Sequence, residues 1–218
     1  MARVLAISDE EAPALSPERL SGLAVDAVLA AGDLPWSYLE YVAQATDAPL
    51  AFVPGNHDPA VPRGRLSRSG LWLRDGRITE EPRPIGGTNA DLRVVEVAGL
   101  RVAGLGGCVR YRPGPHQYDQ AEFRRRCKRL LRQARRTGPV DVLLTHAPPA
   151  GLGDDDDAPH RGIEALHEVL DALRPRWHLH GHVHPHGRSM PDRQHGPTTI
   201  ANVIPYRVLT IPSEASDG

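Results

Sequence analysis

Short apolar segments alternate with amphipathic segments along most of the chain. Five of the apolar segments are bounded by Gly, Pro or polar residues, a pattern that is typical of buried strands. They are Val4–Ile7, Val25–Ala31, Leu50–Val53, Val140–Leu144 and Arg176–Leu179. Because strands of this kind alternate here with helical patterns, the sequence indicates a layered α/β fold.

Apolar residues recur at helical spacing in three other segments. We predict helices over Trp36–Ala45, Asp119–Arg136 and Ile163–Leu173. In the second helix the apolar stripe consists of Phe123, Cys127, Leu130, Leu131 and Ala134. Arginines occupy many of its other positions, and we interpret them as a solvated face rather than a nucleic-acid stripe, because basic and acidic residues balance over the chain.

Four further segments are predicted strands of a second sheet, paired as hairpins. The pairs are Val94–Val97 with Leu100–Leu105, and Thr198–Val203 with Tyr206–Ile211. The segments Pro59–Thr88 and Arg110–Gln117 are predicted loops. We expect a single domain over residues 1–212 and a frayed tail at 213–218.

Composition agrees with a globular protein. The 218 residues are 40% hydrophobic and 24% charged, and 26 basic residues against 27 acidic ones give a formal net charge of −1. No global field therefore attracts nucleic acid. The apolar runs are far shorter than a membrane span and the first residues lack a signal-peptide pattern, so we expect a cytoplasmic protein. Two cysteines, Cys108 and Cys127, agree with a reducing compartment.

Histidine is unusually frequent. The chain has 11, and five of them occupy alternate positions from His178 to His186. In an extended chain these five would share a face, but a glycine and a proline interrupt the regularity. One ion also takes only three or four protein ligands. We therefore predict that His182 and His184 are ligands and that His178 and His186 lie on the surface.

Each of the five apolar segments is followed by residues that can bind metal. Because ligands of open α/β sheets bind beyond the carboxyl ends of the strands, we expect these residues to converge on one site. In chain order they are Asp9, Asp33, Gly55-Asn56-His57-Asp58, His146 and Gly181-His182-Val183-His184.

This ordered series resembles the calcineurin-like metallophosphoesterases, whose motifs are D-x-H, G-D, G-N-H-[DE], H and G-H-x-H. The resemblance runs from Asp9 to His184, and its most specific parts are G-N-H-D and G-H-x-H. It implies an α/β four-layer sandwich in which two central mixed β-sheets are flanked by helices. It also implies two metal ions at one edge of the sheets.

The resemblance assigns roles to six residues. Asp9 and His184 would bind the first metal ion, Asn56, His146 and His182 the second, and Asp33 would bridge the two. The implied cofactors are two divalent transition-metal ions, with manganese expected and iron or zinc as alternatives, since carboxylates and imidazoles suit these ions. Two ions about 3.5–4 Å apart favour in-line displacement at phosphorus, here by a metal-bridging hydroxide. The implied reaction is hydrolysis of a phosphomonoester or phosphodiester, with a small molecule or nucleotide as substrate.

Three other residues are candidates for contact with substrate or for its support. By the resemblance, His57 is not a ligand and would stabilise the phosphoryl oxygens or protonate the leaving group, with Asp58 orienting it through a hydrogen bond. The stretch Cys108–Tyr111 is expected to face the cleft. Within it, Arg110 is a candidate phosphate contact, because guanidinium pairs bidentately with phosphate.

One motif is incomplete. The family has histidine two residues after Asp9, and this sequence has Glu11. A glutamate oxygen can ligate the same metals. Glu11 can equally point to solvent and leave the first site open, and the sequence favours neither outcome.

Two alternatives to a small-molecule phosphoesterase stay open. The first is a catalytically degenerate protein-binding scaffold with the family fold, which Glu11 supports. The second is a nuclease, against which the balanced charge and the acidic run Asp154–Asp157 argue. We interpret this run as a solvated loop and leave open a role in excluding polyanionic substrates. We expect no membrane contact, and the oligomeric state is open.

Overall fold

The computed structural model describes residues 1–60, 83–187 and 189–212, together with the backbone of three short strands between 61 and 82. The tail at 213–218 lies outside the described residues. The helices are α1 (Pro17–Gly22), α2 (Trp36–Thr46), α3 (Gln120–Ala134) and α4 (Leu166–Leu173). The strands are β1 (Ala2–Ile7), β2 (Ala27–Ala30), β3 (Leu50–Phe52), β4 (Arg65–Leu66), β5 (Trp72–Arg74), β6 (Arg77–Thr79), β7 (Gly87–Asn89), β8 (Val94–Val97), β9 (Leu100–Leu105), β10 (Cys108–Val109), β11 (Gln117–Tyr118), β12 (Val142–Thr145), β13 (Trp177–His180), β14 (Arg193–His195), β15 (Thr198–Asn202) and β16 (Tyr206–Ile211).

Five strands form the first large sheet, in the order β16-β1-β2-β3-β7. Strands β1, β2, β3 and β7 are parallel, and β16 pairs antiparallel with β1. The register places Ile7 opposite Ala30, and Ala30 opposite Phe52. The chain segments that follow β1, β2 and β3 therefore leave the sheet at the same edge.

Six strands form the second large sheet, in the order β14-β15-β13-β12-β9-β8. Its four inner strands are parallel, and the two outer strands β8 and β14 are antiparallel to their neighbours. Leu144 lies opposite Leu179 in β13. The segments that follow β12 and β13, which carry His146 and His182, are thus also brought together.

The two sheets pack face to face, and helices cover both outer faces. Side chains such as Val4, Leu29 and Leu144 fill the space between the sheets. Helices α1 and α2 pack on the outer face of the first sheet, and α3 and α4 on that of the second. The expected four-layer α/β sandwich is confirmed. No helix in the described part of the chain is both long and apolar enough to span a membrane.

Two predictions about strands are wrong. The segments Thr198–Val203 and Tyr206–Ile211 do not form a hairpin, because β15 lies between β13 and β14 in the second sheet while β16 pairs with β1 in the first. After β15 the chain crosses from the second sheet to the first. There β16 pairs with the edge of β1 that would otherwise be unpaired. The predicted loop Pro59–Thr88 contains β4, β5, β6 and the start of β7. Strands of two or three residues are too short to show an alternating pattern.

The expected exposure of His178 is also wrong. Strand β13 is central and covered on both faces, so His178 is fully buried, whereas His186 is exposed as predicted. The Nε2 atom of His178 lies 2.7 Å from Oγ1 of Thr145. Because the Thr145 hydroxyl donates to the carbonyl of Ala147, it accepts the hydrogen bond from His178.

Candidate metal centre

Three of the predicted ligands have a left-handed backbone conformation. The φ angles of Asp9, Asp33 and His182 are 61°, 56° and 69°. Such a conformation is uncommon outside glycine and costs of order 1–3 kcal/mol per residue, which the surrounding structure must offset. Backbone strain of this kind concentrates at functional sites. Its recurrence directly after β1, β2 and β13 marks this edge of the sheets as the candidate site.

Two motif glycines leave room for carboxylates. A Cβ atom on Gly181 would overlap Oγ of Ser8 and Oδ2 of Asp9, and one on Gly55 would overlap the carboxylate of Asp33. The glycines of G-N-H-D and G-H-x-H are therefore required by the close approach of the two aspartates.

The side chains of the two aspartates are largely buried and hydrogen-bonded. Oδ2 of Asp9 accepts from Oγ of Ser8 at 2.5 Å and from the main-chain nitrogen of His182 at 2.9 Å. Oδ1 of Asp33 accepts from the main-chain nitrogen of His57 at 2.8 Å. Burial raises the pKa of Asp9. An ionised pair of buried carboxylates needs a neighbouring positive charge.

His146 directly follows β12, and its ring lies beside Asn56 and Asp33. Its Nδ1 atom is 2.8 Å from the carbonyl oxygen of Ala31, and its Nε2 atom is 3.0 Å from Oδ1 of Asn56 and 3.3 Å from Oδ2 of Asp33. Burial alone lowers the pKa of His146, but the Asp33 carboxylate raises it to about 9. Burial alone raises the pKa of Asp33, and His146 lowers it to about 2. A positive charge is thus strongly stabilised at this point.

The other two predicted histidine ligands are each anchored through one ring nitrogen. Nε2 of His182 lies 2.7 Å from the carbonyl oxygen of Pro159, which can only accept, so Nε2 carries the proton and Nδ1 has the lone pair. Nδ1 of His184 lies 2.8 Å from Oε1 of Glu10, and Nε2 of His184 faces Oδ1 of Asp9 at 3.7 Å. Burial and the charge of His146 lower the pKa of His182 to about 3.

These side chains fit a transition-metal centre. Asp9, Asp33 and His146 each offer one possible ligand atom, either a carboxylate oxygen or a ring nitrogen. These three atoms lie within 4.8 Å of one another. Asn56 contacts His146, the rings of His146 and His182 have centroids 4.8 Å apart, and His184 faces Asp9. Carboxylate and imidazole donors suit such ions, and histidine ligands usually donate their second ring N–H to an oxygen. The geometry brings all six predicted ligands together.

Asp58 does not support His57 as expected. Oδ2 of Asp58 accepts from the main-chain nitrogens of Gly55 and Asp33 at 2.7 and 3.1 Å, and so it fixes the turn that carries Asn56. Among the contacts of the described residues, none joins this carboxylate to the ring of His57, which is exposed. The hydrogen bond expected between Asp58 and His57 is not among these contacts, and Oδ2 of Asp58 instead accepts from two backbone donors.

Glu11 does not take the place of the missing histidine. It is exposed and lines a surface cavity of about 440 Å³ together with Tyr38 and Tyr41. Its neighbour Glu10 contacts His184 instead. Glu10 was not predicted from the sequence, and its position directly after Asp9 is the signal that could have identified it.

Arg110 is paired with residues at the start of α3. Its Nη2 atom donates to Oε2 of Glu122 at 2.7 Å and to the carbonyl of Gln117 at 3.2 Å, which fixes the guanidinium at the start of α3. That Arg110 contacts phosphate stays a prediction, and in this structure its guanidinium is paired with Glu122 and Gln117. From the same stretch, the hydroxyl of Tyr111 lies 3.4 Å from Nδ2 of Asn56.

The family can be identified from these motifs and from comparison with known proteins. A family model described as calcineurin-like phosphoesterase matches residues 6–186. The chain belongs to the calcineurin-like phosphoesterase family. The family resemblance inferred from the motifs is thus confirmed. The matched residues 6–186 include every predicted metal ligand.

Two curated relatives of this calcineurin-like phosphoesterase come from Caenorhabditis elegans. The UPF0046 protein T07D4.2 is 47% identical over 47 residues, and the UPF0046 protein C25E10.12 is 34% identical over 84 residues. These matches cover 21% and 35% of this chain but only 12% and 27% of the two relatives. The relatives thus share a local region with this chain rather than its full length.

Solved structures share the fold over most of the chain. The crystal structure of TT1561 of Thermus thermophilus superposes with a TM-score of 0.58 at 16% identity, covering 91% of this chain and 87% of that one. Another solved structure gives a TM-score of 0.60 at 15% identity, with 92% and 90% covered. At such identities the likeness concerns the fold alone.

Proposed function

We propose that this family member hydrolyses a phosphomonoester or phosphodiester bond at a centre that holds two divalent metal ions. The observation that supports this most strongly is the common arrangement of three histidines. In each of them one ring nitrogen contacts an anchoring oxygen, from Ala31, Pro159 or Glu10. The other ring nitrogen of His146 faces the predicted ligands Asn56 and Asp33, and that of His184 faces Asp9. Anchoring of this kind is the usual environment of histidine ligands.

The six predicted ligands would be shared between two metal ions. Asp9 and His184 would hold the first, Asn56, His146 and His182 the second, and Asp33 would contact both. When bound, the two ions supply charge neutralisation and activation of water for in-line displacement at phosphorus. The backbone strain at Asp9 and Asp33 and the burial of both carboxylates support this assignment, because they fix the donors before substrate arrives.

His57 is the proposed acid or phosphoryl-stabilising group. Its main-chain nitrogen donates to Asp33, while its ring is exposed next to the buried ligands. An exposed imidazole beside the centre can donate a hydrogen bond to a phosphoryl oxygen or a proton to the leaving group. Asp58 supports catalysis indirectly, since its carboxylate fixes the turn that carries Asn56.

Manganese is the proposed metal, with iron or zinc as alternatives. The donors are oxygen and imidazole nitrogen, without thiolate, a set that all three metals accept. The two cysteines are free and buried, which supports the proposal of a reducing, cytoplasmic setting.

A small molecule or nucleotide is the proposed substrate. The chain has 26 basic and 27 acidic residues, and exposed carboxylates of the run Asp154–Asp157 lie on the loop that contacts His182 through Pro159. A long polyanion would meet repulsion there, which disfavours a nuclease. If the enzyme cleaved single-stranded DNA faster than cyclic nucleotides, with a steep dependence on salt, this choice of substrate would be wrong.

The function is tested by replacing the proposed acid. The manganese-loaded protein is assayed with aryl phosphomonoesters and phosphodiesters, together with the His57→Ala variant and a control His195→Ala in β14. We expect His57→Ala to lower the rate by about 100-fold or more while metal binding persists, and the control to match the wild type. Full activity in His57→Ala would remove its assigned role.

A protein-binding scaffold is the second candidate, and the position of Glu11 favours it. Because Glu11 lines a cavity with Tyr38 and Tyr41, a first metal ion would have fewer protein ligands than the family motif provides. A wild-type protein that binds no transition metal and cleaves no phosphoester with added manganese would favour the scaffold.

A further inference from the structure

The acidic run Asp154–Asp157 lies in the loop between β12 and α4, and its first carboxylate closes that loop. Oδ1 of Asp154 accepts from the main-chain nitrogen of Gly151 at 2.7 Å, and Oδ2 accepts from that of Gly162 at 3.0 Å. One side chain thus joins two points of the loop that are 11 residues apart in sequence. The interpretation of the run as merely solvated does not apply to Asp154.

Asp157 fixes the part of the loop that follows. Its Oδ1 atom accepts from the main-chain nitrogen of His160 at 3.2 Å and contacts Nδ1 of the same residue at 2.8 Å. These contacts form a short turn that contains Pro159. By contrast, the side chains of Asp155 and Asp156 are exposed, and among the described residues no side-chain hydrogen bond involves them.

The turn meets the candidate metal centre at His182. The carbonyl oxygen of Pro159 lies 2.7 Å from Nε2 of His182, and the ring centroids of His160 and His182 are 5.4 Å apart. Because a carbonyl can only accept, this contact selects the Nε2–H tautomer and leaves the Nδ1 lone pair for a metal ion. It also fixes the rotation of the ring.

We propose that Asp154 and Asp157 are positioning residues for His182. They hold the loop in the conformation in which the Pro159 carbonyl selects the tautomer and orientation of the ring. The consequence is tighter binding of the metal ion that His182 shares with Asn56 and His146. The inference rests on the proposed function only in so far as that function assigns a metal ion to His182.

Substitution by asparagine tests the two carboxylates without a change of size. In Asp154→Asn one of the two accepting oxygens becomes an NH₂ group that faces a backbone N–H, so one hydrogen bond is lost and two donors meet. Asp157→Asn weakens the turn at Pro159 by removing the charge that contacts His160. Asp155→Asn and Asp156→Asn are matched controls, because they make the same charge change in the same loop at exposed positions.

Two measurements apply to all four variants. Titration calorimetry of the metal-free protein with manganese gives the dissociation constant, and ¹⁵N NMR of the histidine rings gives the tautomer of His182 before metal is added. We expect Asp154→Asn and Asp157→Asn to weaken manganese binding by about 10-fold and to mix the His182 tautomers. The two controls should stay within about twofold of the wild type and keep the Nε2–H form.

The proposal is overturned by wild-type affinity and an unchanged tautomer in both test variants, even if their thermal stability falls. It is also overturned if the controls lose as much affinity, because the effect would then be one of net charge alone. A wild-type protein that binds no metal would contradict the proposed function instead. In that case the tautomer measurement still decides whether the loop positions His182.

Discussion

Oε1 of Glu10 lies 2.8 Å from Nδ1 of His184, while the adjacent Glu11 lines a cavity beside Tyr38 and Tyr41. Two neighbouring glutamates thus have different environments. Only Glu10 contacts a proposed ligand, and its carboxylate both orients the ring and increases the basicity of the other ring nitrogen. Of the two glutamates that follow Asp9, Glu10 is thus the one that contacts the predicted ligand set.

Removing the carboxylate of Glu10 should weaken the first metal site. We expect Glu10→Ala to reduce manganese affinity by about 10-fold, because His184 loses its anchor. Glu11→Ala is the matched control and should leave the affinity within about twofold of the wild type. Calorimetric titration of both variants measures this. A larger loss in Glu11→Ala than in Glu10→Ala would show that Glu11 is the ligand.

The close approach of Asp9 to Gly181 should make this glycine sensitive to substitution. In Gly181→Ala the new Cβ would overlap Oγ of Ser8 and Oδ2 of Asp9, so we expect the free energy of unfolding to fall by about 1–3 kcal/mol. Gly22→Ala, at the end of α1, meets no atom within 4 Å and should be neutral or slightly stabilising. Urea unfolding measures both. Equal stability of the two variants would contradict the crowding at Gly181.

Burial of His178 should make the fold sensitive to acid. Burial lowers the pKa of His178 well below its ordinary value of 6.5, so the folded protein resists a proton that the unfolded chain accepts. Stability is therefore fully present above about pH 6.5 and falls as the pH decreases toward the folded-state pKa, by about 1.4 kcal/mol per pH unit. His178→Gln keeps a donor for Thr145 but cannot titrate.

The free energy of unfolding at pH 7.5, 6 and 5 checks this prediction. The wild type should lose more stability than His178→Gln between pH 6 and pH 5, even if the variant is less stable at pH 7.5. Parallel pH profiles would mean that His178 titrates normally or does not contribute.

Much of the fold could be predicted from local patterns. The bounds of β8, β9 and β16 agree with the predicted segments, because alternating or continuous apolar residues end abruptly at turn residues there. Helix α3 begins after Asp119, whose side chain accepts from the main-chain nitrogen of Glu122 while the Glu122 carboxylate accepts from the Asp119 nitrogen. The pairing of β15 and β16 was mispredicted, because it depends on which sheet each strand joins.

The convergence of the candidate ligands was also predictable, since parallel strands end at one edge of a sheet. The environment around them was not. Contacts such as Glu10 with His184 and Pro159 with His182 span 174 and 23 residues in sequence. These contacts depend on the direction of the chain after Asp9 and His182, whose backbone is left-handed. The spacing of apolar residues does not predict that direction. The same reason explains why Asp58 and Arg110 have partners other than those expected.

The central claim is that hydrolysis depends on a metal centre bridged by Asp33. The most direct measurement is the rate of aryl phosphoester hydrolysis by metal-stripped protein as manganese is added, for the wild type and for Asp33→Asn. The wild-type rate should rise from background up to about two equivalents of metal, and the variant should stay at least about 10³-fold lower. Turnover by the metal-free wild type, or a wild-type rate in Asp33→Asn, would contradict this account.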